Sequence, residues 1–245
     1  MGTKTSDEND EHREPWMYRD GEFTKLDVVD AGDSTVPLAI NDDGLIVGNS
    51  SQYLGDGEEL PVSVLQWDSE SGEVAELNLQ DGKDGFVADV NETGTAIGYQ
   101  ADEGDLQGGS GTPWLWDTAT GADKPLRGGS GAGYVAVSES WAMSSDFDGH
   151  VYRWDLTLDA SEPEKMKLDS AGAVDSNGAI YGWMNNTPAK QDVNGVTELP
   201  GLYEDDNANT GVGVGHSGSV DDDGSVAIGT FGDSMESHAI VWKCE

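Results

Sequence analysis

Basic residues are scarce in this chain. Twelve Lys and Arg stand against forty-eight Asp and Glu, for a net charge of −36 at pH 7. Nucleic-acid phosphates and anionic membrane surfaces are bound by clustered Lys and Arg, so the composition excludes both as partners. Cysteine is almost absent: Cys244, next to the last residue, is the only one. It has no mate for an internal disulfide, and no cysteine pair exists to hold a metal or run dithiol chemistry, so no cofactor is expected. Long apolar runs are missing too. No segment approaches the ~18 residues that span a bilayer, which argues against membrane insertion. The opening "MGTKTSDENDEHREP" is polar and charged and lacks the apolar stretch of a signal peptide. Residues 1–14 are expected to be a flexible acidic tail, and the chain is read as a mature product whose export signal is gone. Proline is rare, eight residues against thirty-four glycines, which suits many short strands joined by turns. With 36% hydrophobic residues and a mean hydropathy of −0.52, the core must be thin and strictly patterned.

Within that composition lies a repeat. "LAINDDGLIVGN" (38–49) matches "ADVNETGTAIGY" (88–99), "GAVDSNGAIYGW" (172–183) and "GSVDDDGSVAIGT" (218–230), with a degenerate copy, "VAVSESWAMSSD", at 135–146. Anchored on Ile40, Val90, Val137, Val174 and Val220, the spacings are 50, 47, 37 and 46 residues, a mean of 45. In the degenerate copy Trp141 aligns with the turn glycine. A second element follows each lead-in, as in "VLQWDSESGEVAELN", "WLWDTATGADKPL" and "VYRWDLTLDASEPEKMKL"; an early copy starts at Trp16 and the last stops at "AIVWKCE". Each unit reads strand, Asx/Gly turn, strand, variable loop, strand, Gly turn, strand. Four antiparallel strands per ~45 residues mark a β-propeller blade. The expected fold is therefore all-β: one five-bladed propeller over 15–245. The N-terminal segment is expected to complete the last blade, although Trp16 and Trp242 both look like third-strand tryptophans.

The units "AINDDGLIVG" and "QWDSESGEVAEL" resemble the HAF-type repeat of extracellular β-propeller proteins. The resemblance covers nearly everything after residue 15 and departs from the pattern at Trp141. It implies a secreted propeller and says little about activity, because one fold hosts many functions.

The acidic turns Asn41-Asp42-Asp43-Gly44 and Asp221-Asp222-Asp223-Gly224 do not have the twelve-residue ligand spacing of a calcium loop. They have instead the Asx/Gly chemistry of a tight turn. The four histidines show no ligand spacing, so no metal site is expected. Five-bladed glycosidases converge two or three carboxylates on a central funnel. Asp89 is the one acid near the centre of a first strand, which leaves hydrolysis as an alternative reading only. The runs "GGSGTPW" (108–114) and "RGGSGAGY" (127–134) are read as loops, since neither lies between a strand and a helix. The sequons at Asn49, Asn91 and Asn185 have meaning only in a eukaryotic secretory host.

The aromatics carry the functional expectation. Trp67, Trp116, Trp154 and Trp242 share one repeat position and read as packing between blades. The residue after the second strand's closing glycine varies: Asn49, Tyr99, Asp146, Trp183 and Thr230. It is expected to face solvent on a loop, where function concentrates. Tyr99, Trp183 and Trp114 are candidate stacking platforms; Asn185, Asn186, Gln100 and Asp146 are candidate partners for sugar hydroxyls. The leading expectation is a non-enzymatic, secreted, lectin-like binding module, monomeric by itself, that recognises a glycan or a secreted protein. It is a candidate targeting subunit of a larger extracellular or toxin assembly. A protein scaffold without glycan binding is the other alternative.

Overall fold

The structure, a computed structural model, describes residues 2–5, 13–29, 34–53, 59–105, 111–129, 133–146, 148–158, 162–185, 187–200, 219–220, 226–232 and 237–243. Every regular element among them is a β-strand. The chain divides into two compact units, residues 1–132 and 133–245.

In the first unit, β1 (Gly2–Thr5), β2 (Arg13–Arg19) and β3 (Glu22–Lys25) form a three-stranded sheet. The first blade is β4 (Ser34–Ile40), β5 (Leu45–Tyr53), β6 (Glu59–Asp68) and β7 (Val74–Glu76). The second is β8 (Lys83–Val90), β9 (Thr95–Asp102), β10 (Thr112–Asp117) and β11 (Asp123–Pro125). In the second unit, the third blade is β12 (Tyr134–Val137), β13 (Trp141–Ser145), β14 (Val151–Asp155) and β15 (Glu164–Lys165). The fourth is β16 (Ser170–Val174), β17 (Ile180–Met184), β18 (Thr187–Asp192) and β19 (Gly195–Glu198). The fifth contributes β20 (Ser219–Val220), β21 (Val226–Gly232) and β22 (Ser237–Lys243). All pairings are antiparallel between chain neighbours, so each of the five lead-ins opens a blade.

One expectation about the N-terminus changes. Gly2–Thr5, assigned to a flexible tail, pairs with β2 from Gly2↔Trp16 to Thr5↔Arg13. With it β1, β2 and β3 pair with one another in one three-stranded sheet. The register also moves the repeat position. Tyr18, opposite Phe23, takes the place that Trp67, opposite Val74, takes in the first blade, and Trp16 takes the place of Leu65.

The turn between the first two strands is built by its Asx residue. Asn41 Oδ1 accepts the Leu45 N–H at 2.9 Å, Asn91 Oδ1 the Thr95 N–H at 2.8 Å, and Asp175 Oδ1 the Ala179 N–H at 2.8 Å. Gly44, Gly94 and Gly178 supply the positive φ that closes it (83°, 79° and 77°). The second glycine answers to a β-bulge one strand away. Register shifts fall at Pro37/Ala39, Val87/Asp89 and Ala171/Ala173. A Cβ on Gly48, Gly98 or Gly182 would lie 2.2, 1.8 or 2.0 Å from the carbonyl oxygen of Val36, Phe86 or Ser170.

The third blade departs from this pattern in one coherent way. Its turn is one residue shorter, with Val137 pairing Ala142 where Ile40 pairs Ile46, and its first ladder has no bulge. Trp141 therefore takes the place of Leu45 and not of the turn glycine. Ser144 stands at the Gly48 position and Ser145, not Asp146, at the Asn49 position.

Blades within each unit are joined through the repeat itself. Trp67 and Trp116 are fully buried, and their indole N–H groups donate to the carbonyls of Asp27 (2.8 Å) and Asn78 (2.7 Å), just past the last strand of the preceding sheet. In the fourth blade Gln191 stands at that position and reverses the polarity, its side-chain oxygen accepting the Lys167 N–H at 2.7 Å. Side chains of the turns link neighbours too: Asn41 Nδ2 donates to Asn91 O at 3.0 Å, and Ser138 Oγ to Asp175 O at 2.9 Å. Arg153, 5% exposed, lies over the Trp141 ring, 4.7 Å from its centroid, and donates to Gly178 O and Glu164.

Candidate functional site

The position after the closing glycine is an inter-blade clamp. Asn49 is 7% exposed; its Nδ2 donates to Val87 O at 3.0 Å while its Oδ1 accepts the Val87 N–H at 2.9 Å. Ser145, at the same register in the third blade, accepts the N–H of Ala171, the residue equivalent to Val87. Tyr99 is 4% exposed and stacks on its cross-strand neighbour Phe86, centroids 6.3 Å apart. These side chains therefore do not face solvent. The first blade is covered on both faces, by the N-terminal sheet and by the second blade, so alternation along its strands does not distinguish a wet face from a dry one. Trp114 lies within β10 rather than in a loop, is 6% exposed, and donates its indole N–H to Asp123 Oδ2 at 2.9 Å. Gln100 is buried and accepts the Gln80 N–H at 3.1 Å. Thr230 is in β21 opposite Ala239. Asn186, Asp221–Gly224 and Cys244 lie outside the described residues, as do the parts of the glycine runs at 108–110 and 130–132.

Three of the expected residues do come together, in the second unit, where the second strands of the third and fourth blades hand over to the third strands. Asp146, just after β13, binds the loop that follows through its carboxylate. Its Oδ1 accepts the N–H groups of Asp148 (3.0 Å) and His150 (2.8 Å), and its Oδ2 is 3.0 Å from His150 Nδ1. Gly149 gives this loop its positive φ of 80°. The His150, Tyr152 and Trp154 rings follow one another along one face of β14, each pair of centroids 6.3 Å apart.

The neighbouring loop is held by Asp169, just before β16. Asp169 donates its N–H to Trp183 O at 2.8 Å, and its Oδ2 accepts the Asn185 N–H at 2.6 Å. That bond fixes Asn185 in the left-handed region (φ 52°) at the loop tip, with its side chain exposed. The two loops meet at the same residue, since a Cβ added to Gly149 would lie 3.3 Å from Asp169 O. Trp183, opposite Ser170, is partly exposed. The result is an indole, an exposed amide and an imidazole set on two short, hydrogen-bonded loops. Asp169 is invisible to pattern reading, because "KLDS" lies in the variable connection between repeats. His150 carries a signal only through its spacing from Asp146.

Asp89 is partly buried in β8 opposite Ile97, and its Oδ1 accepts the N–H of the next residue, Val90, at 2.9 Å. Among the described residues no group of three or more His, Cys, Asp or Glu is arranged to hold a metal ion. No helix among them is long and apolar enough to cross a membrane. Two carboxyls in the turns between the third and fourth strands of the first and second blades are held below the usual carboxylate range. Asp68 receives backbone N–H bonds from Ser71 and Glu70, and Asp117 a backbone bond from Thr120. Burial pushes the Tyr134 phenol up.

Solved structures place the architecture. TolB from Acinetobacter baumannii superposes with a TM-score of 0.55 at 13% identity, covering 91% of this chain and 54% of its own. The β-propeller domain of the trilobed protease from Pyrococcus furiosus, described as having an open velcro topology, gives 0.60 at 14% identity, covering 99% of this chain and 78% of its own. The fold is a β-propeller. At these identities the likeness speaks for the fold alone, and the chain spans about half the length of TolB. No protein-family model and no curated protein sequence matches the chain.

Proposed function

We propose that this propeller is a secreted, non-enzymatic binding module of the HAF-repeat kind, and that its ligand is a carbohydrate held at Trp183. The observation that carries the reading is the partly exposed Trp183 indole beside the exposed Asn185, both anchored through Asp169. A sugar ring presents an apolar C–H face to an indole while its hydroxyls seek planar polar partners, and Asn185 and His150 are such partners. The loops are short and hydrogen-bonded to their own backbone, so little order has to be created on binding. The equivalents of Trp183 in the first two blades, Asn49 and Tyr99, are buried. Ser145, the equivalent in the third blade, is buried as well, so among the described residues the site is not repeated in the first three blades, and avidity would come from assembly.

A glycan array tests the reading. Binding of a defined set of glycans by the full chain supports it. Binding of none, alongside capture of a protein ligand that Trp183→Ala abolishes, turns the module into a protein-interaction scaffold. Release of sugar by a chain that loses this activity as Asp89→Asn would make it an enzyme.

A further inference from the structure

Asp146 and His150 repeat a turn that the blades use elsewhere, with one change of chemistry. In the first, second and fourth blades the turn between the first two strands runs from Asn41 to Leu45, from Asn91 to Thr95 and from Asp175 to Ala179. Its first residue donates its N–H to the carbonyl of the last, at 3.1, 3.0 and 3.0 Å. The glycine before the last residue donates back to the carbonyl of the first, at 3.0, 3.1 and 3.0 Å. The Oδ1 of the first residue accepts the N–H of the last. The loop between the second and third strands of the third blade makes the same three bonds. Asp146 N–H donates to His150 O at 2.9 Å, Gly149 N–H to Asp146 O at 3.3 Å, and Asp146 Oδ1 accepts the His150 N–H at 2.8 Å. The turn closes on backbone groups and Oδ1 alone, so its last place takes Leu45, Thr95 or Ala179 without distinction. Nothing in the turn requires an imidazole there.

The second polar atom of the Asx side chain is what differs. Asn41 Nδ2 donates to Asn91 O in the next blade, and Asp175 Oδ2 accepts the Tyr181 hydroxyl at 3.2 Å. Asp146 Oδ2 instead meets the His150 Nδ1 of its own turn, at 3.0 Å. Oδ1 already accepts the N–H groups of Asp148 and His150, which favours the charged carboxylate, a group with no proton to give. The proton in the bond to the ring is therefore on Nδ1. A neutral imidazole held in this way keeps its acceptor lone pair on Nε2.

We propose that Asp146 is the positioning residue of the ligand site: it fixes His150 as the Nδ1–H tautomer, so that Nε2 meets a sugar hydroxyl as an acceptor. The role toward a sugar rests on the carbohydrate reading of Trp183; the state of the ring does not. Asp146→Asn separates the chemistry from the turn. The amide oxygen has to stay with the Asp148 and His150 N–H groups, so the NH2 takes the place of Oδ2 and donates to Nδ1. The ring can accept that bond only as the Nε2–H tautomer, and Nε2 turns from acceptor to donor.

Long-range 1H–15N correlation spectra of the 15N-labelled full chain test this. In alkaline buffer, where an imidazole is neutral, they report which ring nitrogen carries the proton. The signals of His150 among the four histidines are those that His150→Phe removes. The wild type should carry the proton on Nδ1 and Asp146→Asn on Nε2, with the same circular dichroism, since the backbone bonds of the turn remain. A glycan selected on an array should shift the wild-type Nε2 signal as that atom accepts a hydroxyl proton. Asp146→Asn meets the same hydroxyl as a donor and forces its proton to another partner, so it should bind at least about threefold more weakly. A wild-type ring protonated on Nε2 alone or on both nitrogens overturns the proposal. So does an Asp146→Asn ring that keeps the wild-type tautomer, or a bound glycan that leaves the Nε2 signal in place. Binding of no glycan by the wild type defeats the Trp183 reading instead, and the tautomer spectra still decide what Asp146 does.

Discussion

Replacing Asn49 separates a clamp from a ligand contact. Asn49 is almost wholly buried and makes two hydrogen bonds to one residue of the next blade, with Val87 O and Val87 N at 3.0 and 2.9 Å. Val87 is itself fully buried. Asn49→Leu keeps most of the volume but leaves both backbone groups of Val87 without their partner. Each buried unsatisfied group costs about 1–3 kcal/mol, so the variant should lose about 2–6 kcal/mol. For a chain of this size each kcal/mol lowers the melting temperature by roughly 2–4 °C, for a fall of about 4–24 °C. Asn49→Asp keeps the acceptor for the Val87 N–H and loses the donor to Val87 O, so it should fall between wild type and Asn49→Leu. The sister position gives an internal scale. Ser145 makes a single bond of 3.3 Å to the Ala171 N–H, so Ser145→Ala should cost about 1 kcal/mol. The assays are thermal and urea unfolding followed by circular dichroism. If Asn49→Leu unfolds within about 0.5 kcal/mol of wild type, the clamp reading is wrong and the side chain is free for another task.

Gly98→Ala should destabilise by about 2–3 kcal/mol, because its Cβ would sit 1.8 Å from Phe86 O, a backbone atom that can move only by distorting the bulge. Gly82→Ala, which meets nothing within 4 Å but has φ 71°, should cost less, about 1 kcal/mol; equal losses would refute the steric account. Asp68 and Asp117 should titrate below 3.8 when followed by carboxyl NMR, since their turn N–H groups favour the charged form. Their folded pKa values lie below the unfolded ones, so their contribution is complete above about pH 4 and is lost as pH falls through the folded values. Asp117→Asn should flatten that part of the acid-unfolding curve, and an unchanged curve would contradict it.

The architecture was legible in the sequence where chemistry is local. An Asx residue, a glycine at positive φ and a closing glycine are needed for backbone reasons at each lead-in, so they recur and can be counted. What was not legible depends on register. The third blade's turn is one residue short, and in a strand a shift of one residue sends every side chain to the other face. This is why Asp146 was aligned with Asn49 although Ser145 is its counterpart. The same ambiguity hid the clamps, because a variable residue between two buried faces looks like a variable residue on a surface. Asn49 and Tyr99 vary because each meets a different neighbour. Asp169 was out of reach for another reason: it organises the two loops from outside the repeat, through bonds to backbone atoms that leave no spacing rule. The N-terminal strands were recognised as a third-and-fourth-strand copy, yet nothing in "GTKT" announces the strand that pairs with them.

The account stands most directly on Trp183. Wild-type protein and Trp183→Ala should be compared on one glycan array, with melting temperatures measured on the same preparations. The prediction is that wild type binds a defined set of glycans and that the variant loses at least about fivefold in affinity, since stacking on an aromatic ring contributes about 1 kcal/mol or more beyond area burial. Its melting temperature should stay unchanged, because the indole is partly exposed and its blade is held elsewhere. Glycan binding that is the same in both proteins, or absent from both, would contradict the assignment of the site.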